Sequence, residues 1–402
     1  MDVLSVVIPA YNEESGIAQI IERTLSIRPR LKEVGVDGLE LIVVDDGSQD
    51  RTADIATEYI DVRLVRHRVN QGYGAALKTG FSKAQGSLLG FLDADGTYPP
   101  EHFPDLCQLA LAEEADLVIG SRMAGAESEM PLVRRIGNLV FATLINLLCN
   151  CRISDSSSGM RVFRREVLER LYPLPDGLNF TPVMSTRALH EEIRMRELPI
   201  PYEERVGRSK LNVVQDGMRF LTTIIWTALN YNPVRVFGGI GVALGLIAMT
   251  IAAIVVGMRA AGITRLGPWG VAGVFVAGLC AVSGIALFAL GATFNYLVSL
   301  FHRRPIRQGL FGRPIFREPL DRHFGWIGLL AIAVGVATGG ISLGLSLDGW
   351  PVERLWFYLL GAAMSVIVGL QLLVFWIIMR VLDELSQRDA CVAVDLEGKP
   401  CD

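Results

Sequence analysis

Along residues 1–122, apolar runs of strand length alternate with segments in which apolar positions recur at helical spacing. "LSVVIPAY" (4–11) precedes a helix predicted near 16–27, and "LELIVVDDGS" (39–48) precedes one near 50–59. "VRLVRH" (62–67) leads through "NQGYGAAL" into a helix ending near Ala84. "SLLGFLDAD" (87–95) leads to a helix near 101–112, and "DLVIGSR" (116–122) follows. Strands that are almost continuously apolar and separated by helices imply a mostly parallel, Rossmann-like α/β sheet covered on both faces. In such sheets ligands lie beyond the carboxyl ends of the strands, where strand order reverses. Tyr11, Asn12 and Glu13, then Asp45 and Asp46, then Asp93 and Asp95, then Ser121 and Arg122 all fall at those ends. Asp50, before "RTADI", reads as a helix N-cap.

The pattern changes beyond Asn232. Four long apolar segments, about 236–258, 269–299, 324–347 and 355–379, are each able to cross about 30 Å of hydrocarbon. Before them, "VVQDGMRFLTTIIWTALNY" (213–231) sets Val214, Met218, Leu221, Ile225 and Ala228 on one helical face, as an interfacial amphipathic helix would. "IGNLVFATLINLLCN" (136–150) is apolar but short, and it carries Asn138 and Asn146; a buried or interface-resting helix is expected. The organisation is therefore a soluble domain (1–212), an interfacial helix (213–232), a four-helix transmembrane region (233–380) and a tail (381–402). Arg303, Arg304, Arg307, Arg313, Arg317 and Arg322 crowd the loop between the second and third spans. By the positive-inside rule that loop, the soluble domain and the tail share the cytoplasmic side.

Composition agrees with a lipid bilayer as one partner. The 402 residues are 51% hydrophobic and the mean hydropathy is +0.38. The formal net charge of −4, without a basic domain interleaved with aromatics, argues against a nucleic-acid partner. Cys107, Cys149, Cys151, Cys280, Cys391 and Cys401 make no CxxC pair and have no histidines at zinc spacing, which fits a reducing compartment. "MDVLSVVIPAYNEE" has neither a basic region nor a cleavage site, so no signal peptide is expected.

The stretch "FLDADGTYPP" ends an apolar run on two acids one residue apart. Like charges so close raise each other's pKa, and a cation is expected beside them. "NQGYGAALKTGF" lacks the GxGxxG spacing of a dinucleotide fingerprint. Its Gly72 and Gly74 admit a ligand's close approach or open the helix tightly, and Lys78 either reaches a phosphate or solvates a helix face.

Taken in order, "VVIPAYNEE", "VVDDGSQDRT", "NQGYGAALKTGF", "FLDADGTYPPE", "GSR", "SDSSSGMRVFRR" and "GRSKL" cover roughly the first 210 residues. Their combination resembles the family 2 glycosyltransferases of GT-A fold, and among these the polyprenyl-phosphate glycosyltransferases. The resemblance implies an inverting transfer from a nucleotide-sugar donor to a polyprenyl phosphate, undecaprenyl or dolichyl. It implies that Pro9, Tyr11, Glu13, Asp45 and Asp46 border the donor's nucleotide, and Lys78 and Ala94 join them as candidate donor contacts. It further implies that Asp93 and Asp95 serve a divalent metal, Mg²⁺ or Mn²⁺, which takes hard oxygen ligands. Relatives carry a metal-reaching Gln where this chain has Thr97.

Asp155 matches the acid that relatives keep beside the reacting centre. A sugar hydroxyl needs a general base, whereas a phosphate monoester, with a second pKa of about 6, is mostly dianionic at neutral pH. With a lipid phosphate Asp155 would instead orient the nucleophile or a basic residue. Ser121, Arg122, Arg134 or Arg135, Arg205 and Lys210 fall in or near segments that the resemblance implies face the acceptor phosphate, and arginine suits bidentate phosphate contacts.

A bacterial or archaeal plasma membrane is expected in preference to the endoplasmic reticulum, and a homo-oligomer stays open. The extra pair of spans departs from relatives with two spans or a single anchor. Two other classes compete with this reading. A processive polysaccharide synthase would carry QxxRW, to which "QDGMRF" (215–220) comes close with altered spacing and Phe220 for Trp. A non-enzymatic scaffold would not be expected to retain acids that cost stability.

Overall fold

The computed structural model describes residues 2–112, 115–123, 130–149, 152–203, 213–263, 266–302 and 320–395. They form two compact units that divide between Thr227 and Ala228.

The first unit runs β1 (Val3–Ala10), α1 (Ile17–Ser26), α2 (Arg28–Glu33), β2 (Gly38–Asp45), α3 (Thr52–Thr57), β3 (Val62–Arg66), α4 (Tyr73–Lys83) and β4 (Leu88–Phe91). After a 3₁₀ turn (Pro100–His102) come α5 (Phe103–Ala112), β5 (Leu117–Ser121), α6 (Leu132–Cys149), β6 (Arg161–Arg164), α7 (Val167–Leu171), α8 (Phe180–His190), β7 (Met195–Pro199) and α9 (Val213–Tyr231). The division of the units falls within α9.

One seven-stranded sheet has the order β3-β2-β1-β4-β6-β5-β7. All its pairings are parallel except those of β6, which runs antiparallel to β4 and β5. Strand order reverses at β1, between β2 and β4, so the predicted crevice lies beyond Ala10, Asp45 and Phe91. Helix α1 buries Ile17, Ile20, Ile21 and Thr24, the 3.6-residue face that its apolar spacing dictates. On the other side of the sheet Phe81 meets Phe91, Phe163 and Phe180 at ring-centroid distances of 6.1, 5.3 and 6.3 Å. Truncation of such a buried ring costs about 3–5 kcal/mol.

The predicted strands are present with trimmed ends. The fourth stops at Phe91, and Asp93 and Asp95 stand in the turn that follows. Asp50 sits one residue before the cap of α3, which is Arg51. Its carboxylate accepts the N–H groups of Thr52 and Glu14 at 3.0 and 3.2 Å. It thus ties the loop after β2 to the loop after β1. Strands β6 and β7 were not predicted.

In the second unit α10 (Pro233–Ala260) packs on α11 (Pro268–His302), α12 (Phe324–Leu347) on α13 (Val352–Asp395), and α11 on α13. Small residues let the backbones approach, as is usual between apolar helices. A Cβ on Gly241 would stand 2.5 Å from the Gly284 carbonyl oxygen, and one on Gly328 would stand 2.8 Å from that of Gly369. Among the described residues five helices are long and apolar enough to cross a membrane, at Leu132–Cys149, Pro233–Met258, Pro268–Phe301, Phe324–Leu347 and Leu355–Leu385. The chain is a multi-pass membrane protein. Of the Arg-rich loop, residues 303–319 lie outside the described residues.

Helix α6 buries Asn138, Ala142, Ile145 and Leu148 and turns Leu132, Ile136, Leu139, Val140 and Leu147 outward. In α9 the inward face is Asp216, Phe220, Ile224, Thr227 and Ala228, so that of the apolar face predicted to meet the membrane Ala228 is buried. Met218, placed on the predicted face, is 58% exposed, and so is Trp226 at 63%. Burying Phe220 and Ile224 sets the helix register, and it leaves a second apolar stripe facing out.

Candidate active site

The loops after β1 and β2 interlock at the sheet's rim. Asn12 adopts a left-handed backbone (φ 51°), a conformation that asparagine tolerates better than most residues. Its N–H donates to Ser48 Oγ at 2.9 Å, and its side-chain oxygen accepts Gln49 N–H at 2.8 Å. Glu13 N–H donates to Thr52 Oγ1. Much of "YNEE" and "DDGSQDRT" therefore consists of loops holding each other in place.

Two cavities open at this rim. One, of about 510 Å³, is lined by Tyr11, Asp45, Ser48, Arg66, His67, Arg68 and Asn70 among others. The second, of about 590 Å³, shares Tyr11 and Asn70 with it. It takes in Pro9, Glu13, Asp46, Asp93, Ala94, Asp95, Arg122 and Arg134, together with the apolar side chains of Met130, Val133, Phe141, Leu178 and Phe220.

Asp46 is buried and saturated. It pairs with His67 Nδ1 at 2.7 Å and accepts the N–H groups of Gln71 and Gly72 at 2.9 and 2.8 Å, so it shapes the "NQGYG" turn. The carbonyl of Asp176, in turn, accepts the N–H groups of Gly74 and Ala75 at the start of α4. A Cβ on Gly74 would stand 2.1 Å from the Pro175 carbonyl oxygen, and one on Gly72 would stand 2.5 Å from that of Asp176. These glycines admit the 175–177 loop, which occupies the helix N-terminus where a phosphate would bind. Lys78 belongs to the same contact. Its ammonium donates to the Leu174 carbonyl and pairs with Asp176, and it does not line either cavity.

Asp93 and Asp95 both line the larger cavity. Tyr73 donates its hydroxyl to Asp93 Oδ1 at 2.6 Å. Burial first, and then the Asp93 charge, push the Tyr73 pKa well above its ordinary value, so the phenol keeps its proton. Thr97, 2% exposed, donates its Oγ1–H at 2.6 Å and its N–H at 3.1 Å to Asp95 Oδ1. The residue standing where relatives have Gln thus braces Asp95. Among the described residues no group of three or more His, Cys, Asp or Glu gathers as a metal nest. Two hard-oxygen carboxylates on one wall nevertheless suit a divalent cation that completes its shell with substrate phosphate and water.

Asp155 is fully buried and does not line the cavities. Its Oδ2 accepts Arg122 Nε–H at 2.7 Å and Oδ1 accepts Nη2–H at 2.8 Å, a bidentate fork. Arg122 N–H, Asn138 Nδ2–H and Ser157 N–H complete five donors to one carboxylate. Burial alone would raise its pKa, but the Arg122 charge and these hydrogen bonds outweigh burial and hold it below the usual carboxylate value. Ser121 is also buried, bonded to Ser154 Oγ at 2.7 Å. Of the adjacent arginines, Arg134 lines the cavity and Arg135 is exposed outside it. Arg205 and Lys210 lie outside the described residues.

Five contributors go unread in the sequence. Tyr73 bonds Asp93, and Gly159 leaves room for its carboxylate; Tyr98 and Tyr202 flank Arg122, with ring centroids 5.5 and 5.7 Å from its Cζ. Tyr98 had a signal, standing three residues after Asp95. Arg161, fully buried on β6, donates to the carbonyls of Ser158 and Ser156, and burial pushes its pKa down to about 10.

Residues 5–172 match the family model of glycosyl transferase family 2, and residues 233–393 match a domain of unknown function (DUF8752). The chain is 30% identical to the low-salt glycan biosynthesis hexosyltransferase Agl6 of Haloferax volcanii, over 92% of this chain and 86% of that protein. It is 31% identical to a dolichyl-phosphate hexose transferase of the same organism, over 57% of this chain and 95% of that protein. With an undecaprenyl-phosphate 4-deoxy-4-formamido-L-arabinose transferase of Photorhabdus laumondii it shares 28% identity, over 74% of this chain and 90% of the relative.

Proposed function

The chain belongs to family 2 of the glycosyltransferases and has the GT-A fold, and on that premise we propose that it transfers one sugar, with inversion, from a UDP- or GDP-sugar to a polyprenyl phosphate. The observation that carries this reading is the mixed lining of the larger cavity, which brings two acids and two arginines together with Met130, Val133, Phe141, Leu178 and Phe220. A water-soluble acceptor has no use for those apolar side chains, whereas an isoprenoid attached to a phosphate matches both kinds of lining. The relatives named for dolichyl and undecaprenyl phosphate support the same acceptor class.

In this reading the donor nucleotide lies along Pro9, Tyr11, Glu13, Asp45, Asp46 and Ala94. Asp93 and Asp95 would hold Mg²⁺ or Mn²⁺, and a bound metal neutralises charge on the departing nucleoside diphosphate. Arg122 and Arg134 receive the acceptor phosphate, which is already ionised and needs no base. Asp155 is the positioning residue for Arg122. Lys78 anchors the 174–176 loop.

The outward apolar faces of α6 and α9 rest on the membrane surface, which brings the cavity they line within reach of lipid. Helices α10–α13 form four spans, with the catalytic unit on the cytoplasmic side. A screen of UDP- and GDP-sugars against undecaprenyl and dolichyl phosphate tests the proposal. One donor should yield a lipid-linked monosaccharide; a ladder of polymer lengths would overturn it in favour of a processive synthase.

A further inference from the structure

The backbone of residues 200–203 is clamped on both sides. Ile200 N–H donates to the carbonyl of Ser121, the neighbour of Arg122, at 3.0 Å, and Glu203 N–H donates to that of Thr97, the neighbour of Tyr98, at 3.1 Å. Arg23 adds a fork to the Glu203 carboxylate at 2.9 and 3.1 Å, and it grips Glu101 with a second fork. What this frame fixes between its two ends is Tyr202, which is 6% exposed and lines the cavity.

Tyr202 touches both acceptor-side arginines with different atoms. Its ring stands 5.7 Å from Arg122 Cζ and nearly perpendicular to Tyr98, so the guanidinium sits in the angle between two aromatic faces. Its hydroxyl oxygen accepts a hydrogen bond from Arg134 Nη1 at 3.2 Å. Arg122 needs such walls. Asp155 engages its Nε and Nη2, and Nη1 makes no hydrogen bond to the described residues. A ring face holds a cation without consuming its donors, unlike a second carboxylate. Arg134, on α6, has a long flexible side chain, and the phenol oxygen gives it a fixed point.

We propose that Tyr202 is a positioning residue of the acceptor site, holding Arg122 by its ring and Arg134 by its hydroxyl so that both guanidinium groups converge on one phosphate. This rests on the polyprenyl-phosphate reading above. Tyr202→Phe separates the two contacts, because it keeps the ring and removes only the oxygen.

The test uses the full chain in detergent micelles, undecaprenyl phosphate as acceptor, and the donor found in the screen. Loss of a hydrogen bond to a charged group should raise the acceptor KM of Tyr202→Phe about tenfold. kcat, donor KM and melting temperature should stay at wild-type values. In an Arg134→Ala background the same substitution should have no further effect, since its partner is gone. An unchanged acceptor KM, an equal rise in donor KM, or the same loss in the Arg134→Ala background each overturns the inference. If the wild-type chain makes no lipid-linked product from any donor with either lipid phosphate, the underlying reading fails first, and the inference falls with it.

Discussion

Asp93 lies against the bare Cα of Gly159. A Cβ built there would stand 2.1 Å from Asp93 Oδ2 and 2.5 Å from its Cγ. The Gly159 N–H donates to the Tyr98 hydroxyl at 2.7 Å, so the glycine is pinned and cannot withdraw. The Asp93 carboxylate therefore keeps its place only while residue 159 lacks a side chain. Gly159→Ala should shift the carboxylate by a fraction of an ångström to an ångström and lower kcat about 100-fold. Titration of Mg²⁺ or Mn²⁺ against rate should show weakened metal activation, and wild-type rates would refute the relationship.

The Asp155–Arg122 pair makes a prediction about pH. A carboxylate whose folded-state pKa is depressed adds stability that is present above its unfolded value of about 3.9 and is lost as pH falls through the folded value. Melting temperature should accordingly decline below about pH 4. Asp155→Asn removes that part of the decline and leaves a buried guanidinium unpaired, at a cost of about 3–5 kcal/mol at neutral pH. Thermal melts of the full chain across pH check both statements; an Asn variant as stable as wild type at pH 7 contradicts them.

The adjacent arginines should separate cleanly. Arg134→Ala is expected to raise the acceptor KM by about ten- to a hundredfold, the range for a charge-assisted contact. Arg135→Ala, outside the cavity, should leave it unchanged. Steady-state kinetics with varied polyprenyl phosphate decides, and equal effects would show that the side chains rearrange when lipid binds.

Lys78 supplies a contrast. Asp176 is 65% exposed, so its ion pair with Lys78 is a surface one, and Lys78→Met should destabilise by about 1 kcal/mol or less. Donor KM should not move. A large rise in donor KM would place the ammonium on the donor phosphates after all.

How much of this was readable from the residues differs by region. Long apolar strands announce themselves, and the acids at their ends followed from the parallel arrangement. Strand β6, "RVFR", did not: it is four residues long and buries Arg161, which no alternation rule anticipates. Strand β7, "MRELP", has no apolar run. The choice between Arg134 and Arg135 depends on helix register, because neighbours on a helix point about 100° apart and only the burial of Asn138 and Ala142 sets which one turns inward. Asp155 could be matched to a motif, yet its five donors come from three separate parts of the chain. Thr97 stands out in the sequence only as a departure, and its contact with Asp95 shows what the residue does there.

The measurement that bears most directly on the central claim is transfer of radiolabelled sugar by wild type and Asp95→Ala, with phosphate-terminated polyprenol as acceptor. The expected result is label in an organic-extractable lipid that mild acid releases, with the yield lost in Asp95→Ala. Label found only in water-soluble polymer, or a lipid product made equally well without the Asp95 carboxylate, would contradict it.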